Sequence, residues 1–231
     1  MIRGGRIAGT AWTALALIIA VPAAAAVRTA VAPDNVLVID TGKGRVLVEL
    51  VPEAAPGHVA RMKQLAREGY YDGARFYRVV PNYIAQGGEK RTDGVYPSGK
   101  GGLKAEFTFK STGDVVGPLP LAKGADGTAW AKFCPGVLAM AHYDDPDSGD
   151  SQFFIVTGYA PLEKQFTVFG RVIAGMDAVR ALAPGEPPVQ PDKMEKVRLL
   201  ADDPALKGAS VTRDVLGAGA KCEQALEGRI E

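Results

Sequence analysis

One stretch of this chain decides how the rest is interpreted: Phe76-Tyr77-Arg78-Val79-Val80-Pro81-Asn82-Tyr83-Ile84-Ala85-Gln86-Gly87-Gly88. Two short apolar runs flank a Pro-Asn turn, and the side chains in them alternate in a way that predicts two strands sharing one face. Arg78 and Gln86 would then be polar groups among aromatic and aliphatic side chains. A fixed cation beside an apolar pocket suits a substrate that is mostly apolar but develops a lone pair during its reaction.

Two later segments carry equally distinctive patterns. The first runs from Gly136 to Thr157 and reads GVLAMAH, then an acidic loop rich in turn residues, then SQFFIVT. The second reads FTVFGRV from Phe166 to Val172, and a Gly-Met-Asp that opens a short helical pattern follows soon after. Three motifs in this order and at this spacing are far more specific than any one of them alone.

Together the three motifs resemble those of the cyclophilins, the peptidyl-prolyl isomerases built on an eight-stranded barrel. The resemblance covers residues 36–200. It implies a mainly β fold: a closed eight-stranded barrel capped by two helices, with a long inserted loop and a C-terminal tail. Periodicity alone would not distinguish this barrel from another barrel or from a sandwich.

The coarse pattern of the chain agrees with this fold class. It predicts a hairpin over 36–40 and 45–50, a helix over 56–67, strands over 136–141, 152–157 and 167–173, a short helix over 176–183 and a closing strand over 197–200. Many short strands and only two clear helices favour a barrel that helices cap.

The chain divides into four parts on this interpretation: a signal peptide (1–26), a lead-in (27–35), the barrel domain (36–200) and a tail (201–231). Residues 90–135 are predicted to form a long excursion, because they are rich in glycine, lysine and proline. Ordinary single-domain cyclophilins have a shorter connection there, so residues 108–134 are expected to be an insertion. The charged tail is predicted to be partly helical.

The first 26 residues have the layout of an export signal. Arg3 and Arg6 give a basic start, an apolar stretch runs from Ala11 to Val21, and small residues follow at 23–26. The apolar stretch is short for a membrane span, which favours a cleaved signal peptide over the alternative, an uncleaved anchor. We therefore expect a periplasmic or secreted protein with no stable membrane association after cleavage.

Bulk composition limits the partners of the protein. Its 231 residues, 47% of them hydrophobic, suffice for one domain with a core of its own. A formal net charge of +1 gives no electrostatic case for a nucleic acid or an acidic partner. The chain has two cysteines, Cys134 and Cys222. In an exported protein this even count favours one disulfide over two separate thiols.

The reaction that the resemblance implies is rotation about an X–Pro peptide bond, which needs no nucleophile, metal or cofactor. Resonance gives this bond double-bond character and a barrier of about 18–20 kcal/mol. A donor near the proline nitrogen would stabilise the twisted bond more than the planar one. Arg78 matches the family's donor position and Gln86 its backbone-binding position. Without the motif, a solvated surface salt bridge would be the better interpretation of Arg78.

The resemblance also assigns a set of substrate-binding residues. The proline pocket would be lined by apolar side chains, and a strand would pair with the extended peptide through its main chain. The residues concerned are Tyr83, Ile84, Ala141, His142, Phe154, Leu162 and Phe166. Without the family match, ordinary core packing would explain the apolar members equally well.

Three positions depart from the best-known family pattern. Pro161 stands where a tryptophan is expected, Phe166 where a histidine is expected, and His142 where an asparagine is expected. Phe166 still offers a ring to pack against proline, so the pocket would persist in kind. The lost polar contacts would lower turnover or change the peptide preference without removing the donor.

Competing motifs are weak. Gly94-x-x-x-x-Gly99-Lys100 imitates a phosphate-binding loop, but glycine follows the lysine where Ser or Thr is needed. The acidic loop after His142 lacks the glycine and the distal glutamate of a calcium loop. With two histidines in the chain, neither a histidine-based zinc site nor a serine–histidine triad is well supported. We predict no metal site and no cofactor.

The sequence therefore predicts an exported peptidyl-prolyl cis-trans isomerase, a monomer that acts on proline-containing polypeptides and assists the folding of exported proteins. The principal alternative is a cyclophilin-fold binding module, or chaperone, that holds proline-containing segments with little turnover. A weaker alternative is a structural envelope protein whose barrel displays the 90–135 excursion; unimpaired function after deletion of that excursion would count against it.

Overall fold

The computed structural model describes residue 1 and residues 27–89, 97–158, 160–216, 222 and 228–230. The predicted signal peptide, apart from Met1, lies outside the described residues. Within them the strands are β1 (Arg28–Val31), β2 (Val36–Thr41), β3 (Gly44–Leu50), β4 (Arg75–Val80), β5 (Ile84–Glu89), β6 (Phe109–Lys110), β7 (Val115–Val116), β8 (Leu119–Lys123), β9 (Thr128–Ala131), β10 (Val137–Met140), β11 (Phe153–Val156), β12 (Val168–Ala174), β13 (Met194–Leu199), β14 (Val211–Asp214) and β15 (Gly228–Ile230). The α-helices are α1 (Pro56–Arg67) and α2 (Met176–Arg180).

Eight strands form one antiparallel sheet in the order β13-β2-β3-β12-β10-β11-β5-β4. Its two edges, β4 and β13, approach each other through backbone hydrogen bonds from Gly73 to Met194 (2.7 Å), from Met194 to Ala74 (2.8 Å) and from Phe76 to Asp192 (2.9 Å). The sheet is therefore a nearly closed barrel. The predicted fold class, a mainly β protein with an eight-stranded barrel and two helices, is confirmed.

Helix α1 spans the predicted residues because local chemistry defines both ends. Pro56 occupies the first turn, where a missing N–H is harmless, and Val59, Met62 and Leu65 bury one face against the barrel. Helix α2 ends at Arg180, earlier than predicted, and β13 begins at Met194, earlier than the predicted closing strand. Among the described residues, no helix is long and apolar enough to span a membrane.

The predicted excursion contains a second sheet, with strand order β6-β9-β8-β7. Its strands are two to five residues long, too short for a periodic pattern to stand out between the glycines and prolines. Leu119, Leu121 and Ala129 are buried in a hydrophobic cluster that also contains Phe133 and Phe154. The small sheet thus shares a core with part of the barrel wall.

The tail differs from the predicted partly helical segment. In its described residues it forms two short 3₁₀ turns and the strands β14 and β15. β14 pairs with β1 of the lead-in, giving a three-stranded sheet in the order β1-β14-β15. Val31 and Val211 are buried there in a cluster with barrel residues such as Val36, so an apolar contact outweighed the helical propensity of the alanines.

The tail is also fixed to the small sheet and to the barrel. A disulfide joins Cys134 to Cys222, as predicted. Arg213 on β14 forms a buried ion pair with Glu49 on β3. Two distant parts of the chain therefore hold the tail in place.

Candidate active site

The hairpin of β4 and β5 places the first motif on the barrel wall. Arg78 pairs with Gln86 across the two strands, and the turn between them places Asn82 at a φ of 58°, which asparagine tolerates better than most residues. Gly88 allows a close approach, because a Cβ there would lie 2.7 Å from the carbonyl oxygen of Ser151. Gly88 thus lets β5 lie tightly against the segment that leads into β11.

The guanidinium of Arg78 is partly exposed and has two neighbours. Its Nε donates to Oε2 of Glu186 over 2.6 Å, and its central carbon lies 6.0 Å from the centre of the Tyr83 ring. About a third of the side chain, 35%, is accessible to solvent. The cation therefore lies at the surface with an aromatic ring close by, where a bound molecule can reach it.

Gln86 belongs to a chain of three polar side chains. Its Nε2 donates to the hydroxyl of Tyr77 over 2.6 Å, and that hydroxyl donates to Oε1 of Gln152 over 2.6 Å. This chain fixes the orientation of the Gln86 amide. Tyr77 and Gln152 were not predicted as members of the site, although both lie inside the sequence motifs and their polarity amid apolar neighbours was a usable signal.

Aromatic rings on and beside the neighbouring strands form an apolar wall. The Phe166 ring lies perpendicular to that of Phe154, with centroids 5.2 Å apart, and 4.7 Å from the ring of His142. Phe154 is buried, whereas Phe166 is partly exposed. Ile84 and Phe154 belong to one buried hydrophobic cluster, and four further predicted site residues pack against it, namely Tyr83, Ala141, Leu162 and Phe166.

A small cavity of about 120 Å³ opens beside this wall. The lining includes Gln86, Ala141, His142, Tyr143 and Gln152. Strands β10, β11 and β5 are neighbours in the sheet, which explains why residues from three motifs meet here. The structure thus gathers the predicted residues into two adjoining groups, the aromatic cluster and the cavity, with Arg78 beside Tyr83.

His142 differs from a free loop histidine. Its Nδ1 lies 2.6 Å from the carbonyl oxygen of Tyr143, and its Nε2 lies 2.7 Å from that of Gln165. The imidazole is thereby fixed against Phe166 and contributes a flat face to the wall.

The loop that carries Asp150 is fixed by buried charges. Asp150 is buried, pairs with Arg61 of α1 and accepts a hydrogen bond over 2.7 Å from the backbone N–H of Ser98. Nearby, Nδ1 of the buried His58 lies 2.7 Å from Glu106, and burial lowers the pKa of His58 more than the carboxylate raises it. Within the described ranges no cluster of three or more His, Cys, Asp or Glu residues could hold a metal ion.

The barrel and this site define a class of protein, and comparison with known proteins identifies it. The family described as "Cyclophilin type peptidyl-prolyl cis-trans isomerase/CLD" matches residues 36–199. The chain therefore belongs to the cyclophilin-type peptidyl-prolyl cis-trans isomerase family.

Named relatives and a solved structure agree. A probable peptidyl-prolyl cis-trans isomerase of Brucella suis biovar 1 is 36% identical over 185 residues, which cover 77% of this chain and 89% of the relative. Peptidyl-prolyl cis-trans isomerase B of Bacillus subtilis is 38% identical over 152 residues, 65% of this chain and 87% of the relative. The crystal structure of cyclophilin AquaCyp293 from Hirschia baltica is similar, with a TM-score of 0.71 and 27% identity, and covers 81% of this chain and 82% of that one.

These comparisons confirm the family and the enzyme class that the motifs predicted. The three motifs lie inside the matched residues, and both relatives are named isomerases. Glu186 had no sequence signal of its own, because it lies 108 positions from Arg78 along the chain.

Proposed function

We propose that this protein catalyses rotation about X–Pro bonds of polypeptides outside the cytoplasm, with Arg78 as the donor that stabilises the rotating bond. The observation that carries this proposal is the position of Arg78: a partly exposed cation next to Tyr83, at the border of an apolar cluster. An apolar surface beside a fixed charge fits a proline ring whose nitrogen becomes basic only in the transition state.

The energetics of the reaction favour such an arrangement. In the planar amide the nitrogen lone pair is delocalised, and in the twisted bond it is localised and accepts a hydrogen bond. A guanidinium that donates to it therefore binds the transition state better than the ground state. Arginine suits this role because it stays charged at every relevant pH and its planar fork needs little reorganisation.

The remaining site residues would hold the substrate. We assign the proline ring to the wall formed by Tyr83, Ile84, Phe154, Leu162 and Phe166. The peptide main chain would lie along Ala141 and His142 and accept a hydrogen bond from Gln86, whose amide Tyr77 orients. The cavity beside these three residues supports this placement, since it opens next to the aromatic cluster.

The three departures from the family pattern leave this assignment intact. Phe166 presents a ring edge-on to Phe154 and stacks against His142, so the wall remains aromatic. Pro161 is exposed and has neither a side-chain donor nor a backbone N–H, so it offers a substrate no hydrogen-bond donor. We infer that peptide affinity here depends more on apolar contact than on polar contacts at these positions.

An oxidising compartment fits the chain. The disulfide between Cys134 and Cys222 would be stable in the periplasm or outside the cell and uncommon in a bacterial cytosol. The order of basic, apolar and small residues at the start of the sequence fits an export signal. We therefore propose a periplasmic or secreted protein whose clients are exported polypeptides.

The test is proline-isomerisation kinetics with purified mature protein and a proline tetrapeptide. Wild type should accelerate exchange, and Arg78→Ala should lower kcat/KM about 10²–10³-fold, as removal of one preorganised donor does. The free energy of unfolding of Arg78→Ala, measured by thermal unfolding, should differ from that of wild type by roughly 1 kcal/mol or less, because the side chain is partly exposed. Arg45 is the matched control: its Nε also donates to a carboxylate, Asp40, over 2.7 Å, but from β3. Arg45→Ala should retain wild-type kcat/KM.

A binding module without turnover is the alternative, and the observation that favours it is the departure from the family pattern at His142, Pro161 and Phe166. The same protein decides between the two. If wild type binds a proline peptide but the cis–trans exchange rate of that peptide stays at the uncatalysed value, the protein is a binding module. Activity that Arg78→Ala retains, or loses only by unfolding, would show that another group carries the reaction.

A further inference from the structure

The segment between α2 and β13 crosses the barrel wall next to Arg78. It contains four prolines between residues 184 and 191. Gly185 pairs with Val79 through two backbone hydrogen bonds of 2.8 and 2.9 Å, and the N–H of Ala183 donates to Asp192 over 2.7 Å. The segment is therefore bound to the residue that directly follows Arg78 on β4.

The sequence of the segment restricts its backbone. Gly185 has a φ of +145°, and a Cβ there would lie 2.6 Å from the Cα of Pro188, so a larger residue does not fit. Each proline fixes its own φ and limits the residue before it. Glu186 follows Gly185 and precedes Pro187, so its Cα is held in place by both neighbours.

The carboxylate of Glu186 contacts Arg78 through a single nitrogen. Oε2 accepts from Nε over 2.6 Å, at an exposure of 53% for Glu186 and 35% for Arg78. In the described part of the chain, the two terminal nitrogens of Arg78 have no hydrogen-bond acceptor. Within the described residues, the ion pair therefore engages one of the five N–H groups of the guanidinium and restricts its orientation.

We propose that Glu186 is a positioning residue that orients Arg78 for isomerisation, an inference that rests on the proposed function of Arg78. A long side chain at a partly exposed position otherwise populates several rotamers. An oriented guanidinium loses less freedom when it donates to the proline nitrogen, so the pair raises kcat more than it changes KM. The carboxylate binds the guanidinium and does not contact the substrate.

The first arm of the test is mutational. Glu186→Ala should lower kcat/KM about two- to fivefold, the range that exposed ion pairs reach, with the loss mainly in kcat. Glu186→Gln should recover part of it, because its amide oxygen still accepts from Nε. Glu68 is the matched control: an exposed carboxylate in a 2.9 Å pair with Lys100, at the residue that follows α1. Glu68→Ala should leave both kcat and KM unchanged.

The second arm separates positioning from a structural effect. Combined with Arg78→Ala, the Glu186→Ala change should produce no further loss of activity, since the group that it orients is gone. Added salt should reduce the difference between wild type and Glu186→Ala, because the pair is exposed and screened. In NMR spectra the Nε–H signal of Arg78 should shift in Glu186→Ala and keep its position in Glu68→Ala.

Two outcomes would overturn the positioning role. One is that wild type is active and that Glu186→Ala has the same kcat and KM as wild type. The other is an equal loss in the presence and absence of Arg78, which would mean that Glu186 acts through the fold. Wild type without turnover would instead refute the proposed function, and with it the reaction that the pair serves.

Discussion

At the residue scale, the site depends on side chains whose neighbours fix their orientation. Gln86 is held by Tyr77, His142 by two carbonyl groups and Arg78 by Glu186. The sequence motifs predicted Gln86, His142 and Arg78 as site residues, but they did not predict which groups orient these side chains. Motif positions specify the kind of side chain, whereas orientation depends on partners that the fold brings near.

Phe154 and Phe153 offer a direct test of the pocket, because they are adjacent, buried and face opposite sides of β11. Phe154 contacts Phe133 and Phe166, whereas Phe153 contacts Tyr71 and Phe169 inside the barrel. Phe154→Leu and Phe153→Leu should each lower the free energy of unfolding by about 1–2 kcal/mol.

The two variants should differ in kinetics. KM for a proline peptide should rise in Phe154→Leu and stay near wild type in Phe153→Leu, measured where both are fully folded. An equal rise in KM for both variants would contradict the assignment of Phe154 to the pocket.

At the element scale, α1 depends on a residue far away in the sequence. The helix has no side-chain cap of its own. Glu106 accepts hydrogen bonds from the backbone N–H groups of Gly57 and His58, at 3.0 and 3.1 Å, and also contacts the His58 ring. The helix dipole favours a carboxylate at the N-terminus of the helix, so the loop that carries Glu106 stabilises α1.

This arrangement predicts a pH dependence of stability. Burial lowers the pKa of His58 below its ordinary 6.5, so the unfolded state binds more protons than the folded state just below that pH. The titration of His58 should leave the free energy of unfolding unaffected above about pH 6.5 and should lower it as the pH falls below that value. Urea unfolding at pH 7.5 and 5.5 measures the difference.

His58→Asn is the matched variant, because its amide can still donate to Glu106 but does not titrate in this range. It should lose less stability than wild type over the same pH interval. A pH profile that is identical in wild type and His58→Asn would show that another group is responsible.

The tail sheet gives a second prediction at this scale. Cys134 and Cys222 are 88 positions apart, and the chain-entropy model gives a cross-link of this span roughly 4 kcal/mol of stabilisation. Reduction of wild type should therefore lower its thermal unfolding temperature. The Cys222→Ser variant should have a lower thermal unfolding temperature than wild type without any reductant, and reductant should not lower it further. Two alkylatable thiols in oxidised native protein would contradict the bridge.

At the scale of the whole molecule, we propose that residues 1–26 are a signal peptide and that residues 27–35 and 201–231 are additions to a barrel domain of residues 36–200. The lead-in and the tail pair as β1 and β14, so the two additions meet in one sheet. Cleavage at the alanine cluster would leave β1 close to the new N-terminus.

Export makes the corresponding prediction. Mature protein from the exported fraction should begin near residues 25–27, by intact mass, and should elute as a monomer in size-exclusion chromatography with light scattering. A product in the membrane fraction that retains Met1 would indicate an anchor. A dimeric mass would contradict the predicted monomer.

The sequence by itself determined the family, the hairpin of β4 and β5, and helix α1 to the residue. These features depend on neighbours: alternation in short runs, proline in a first helical turn, and glycine where strands approach closely. Three local motifs were enough to predict the barrel because each one lies on a different set of its strands.

Only the tertiary structure decided what lies far apart in sequence. The closure between β4 and β13, the pairing of residues 28–31 with 211–214, and the ion pair of Arg78 with Glu186 all span more than 100 positions. Such contacts form because each surface must find a partner once the local elements exist, and no pattern within one segment identifies that partner. The tail forms strands for this reason, because the surfaces available to it were the edge of β1 and the apolar side of the barrel.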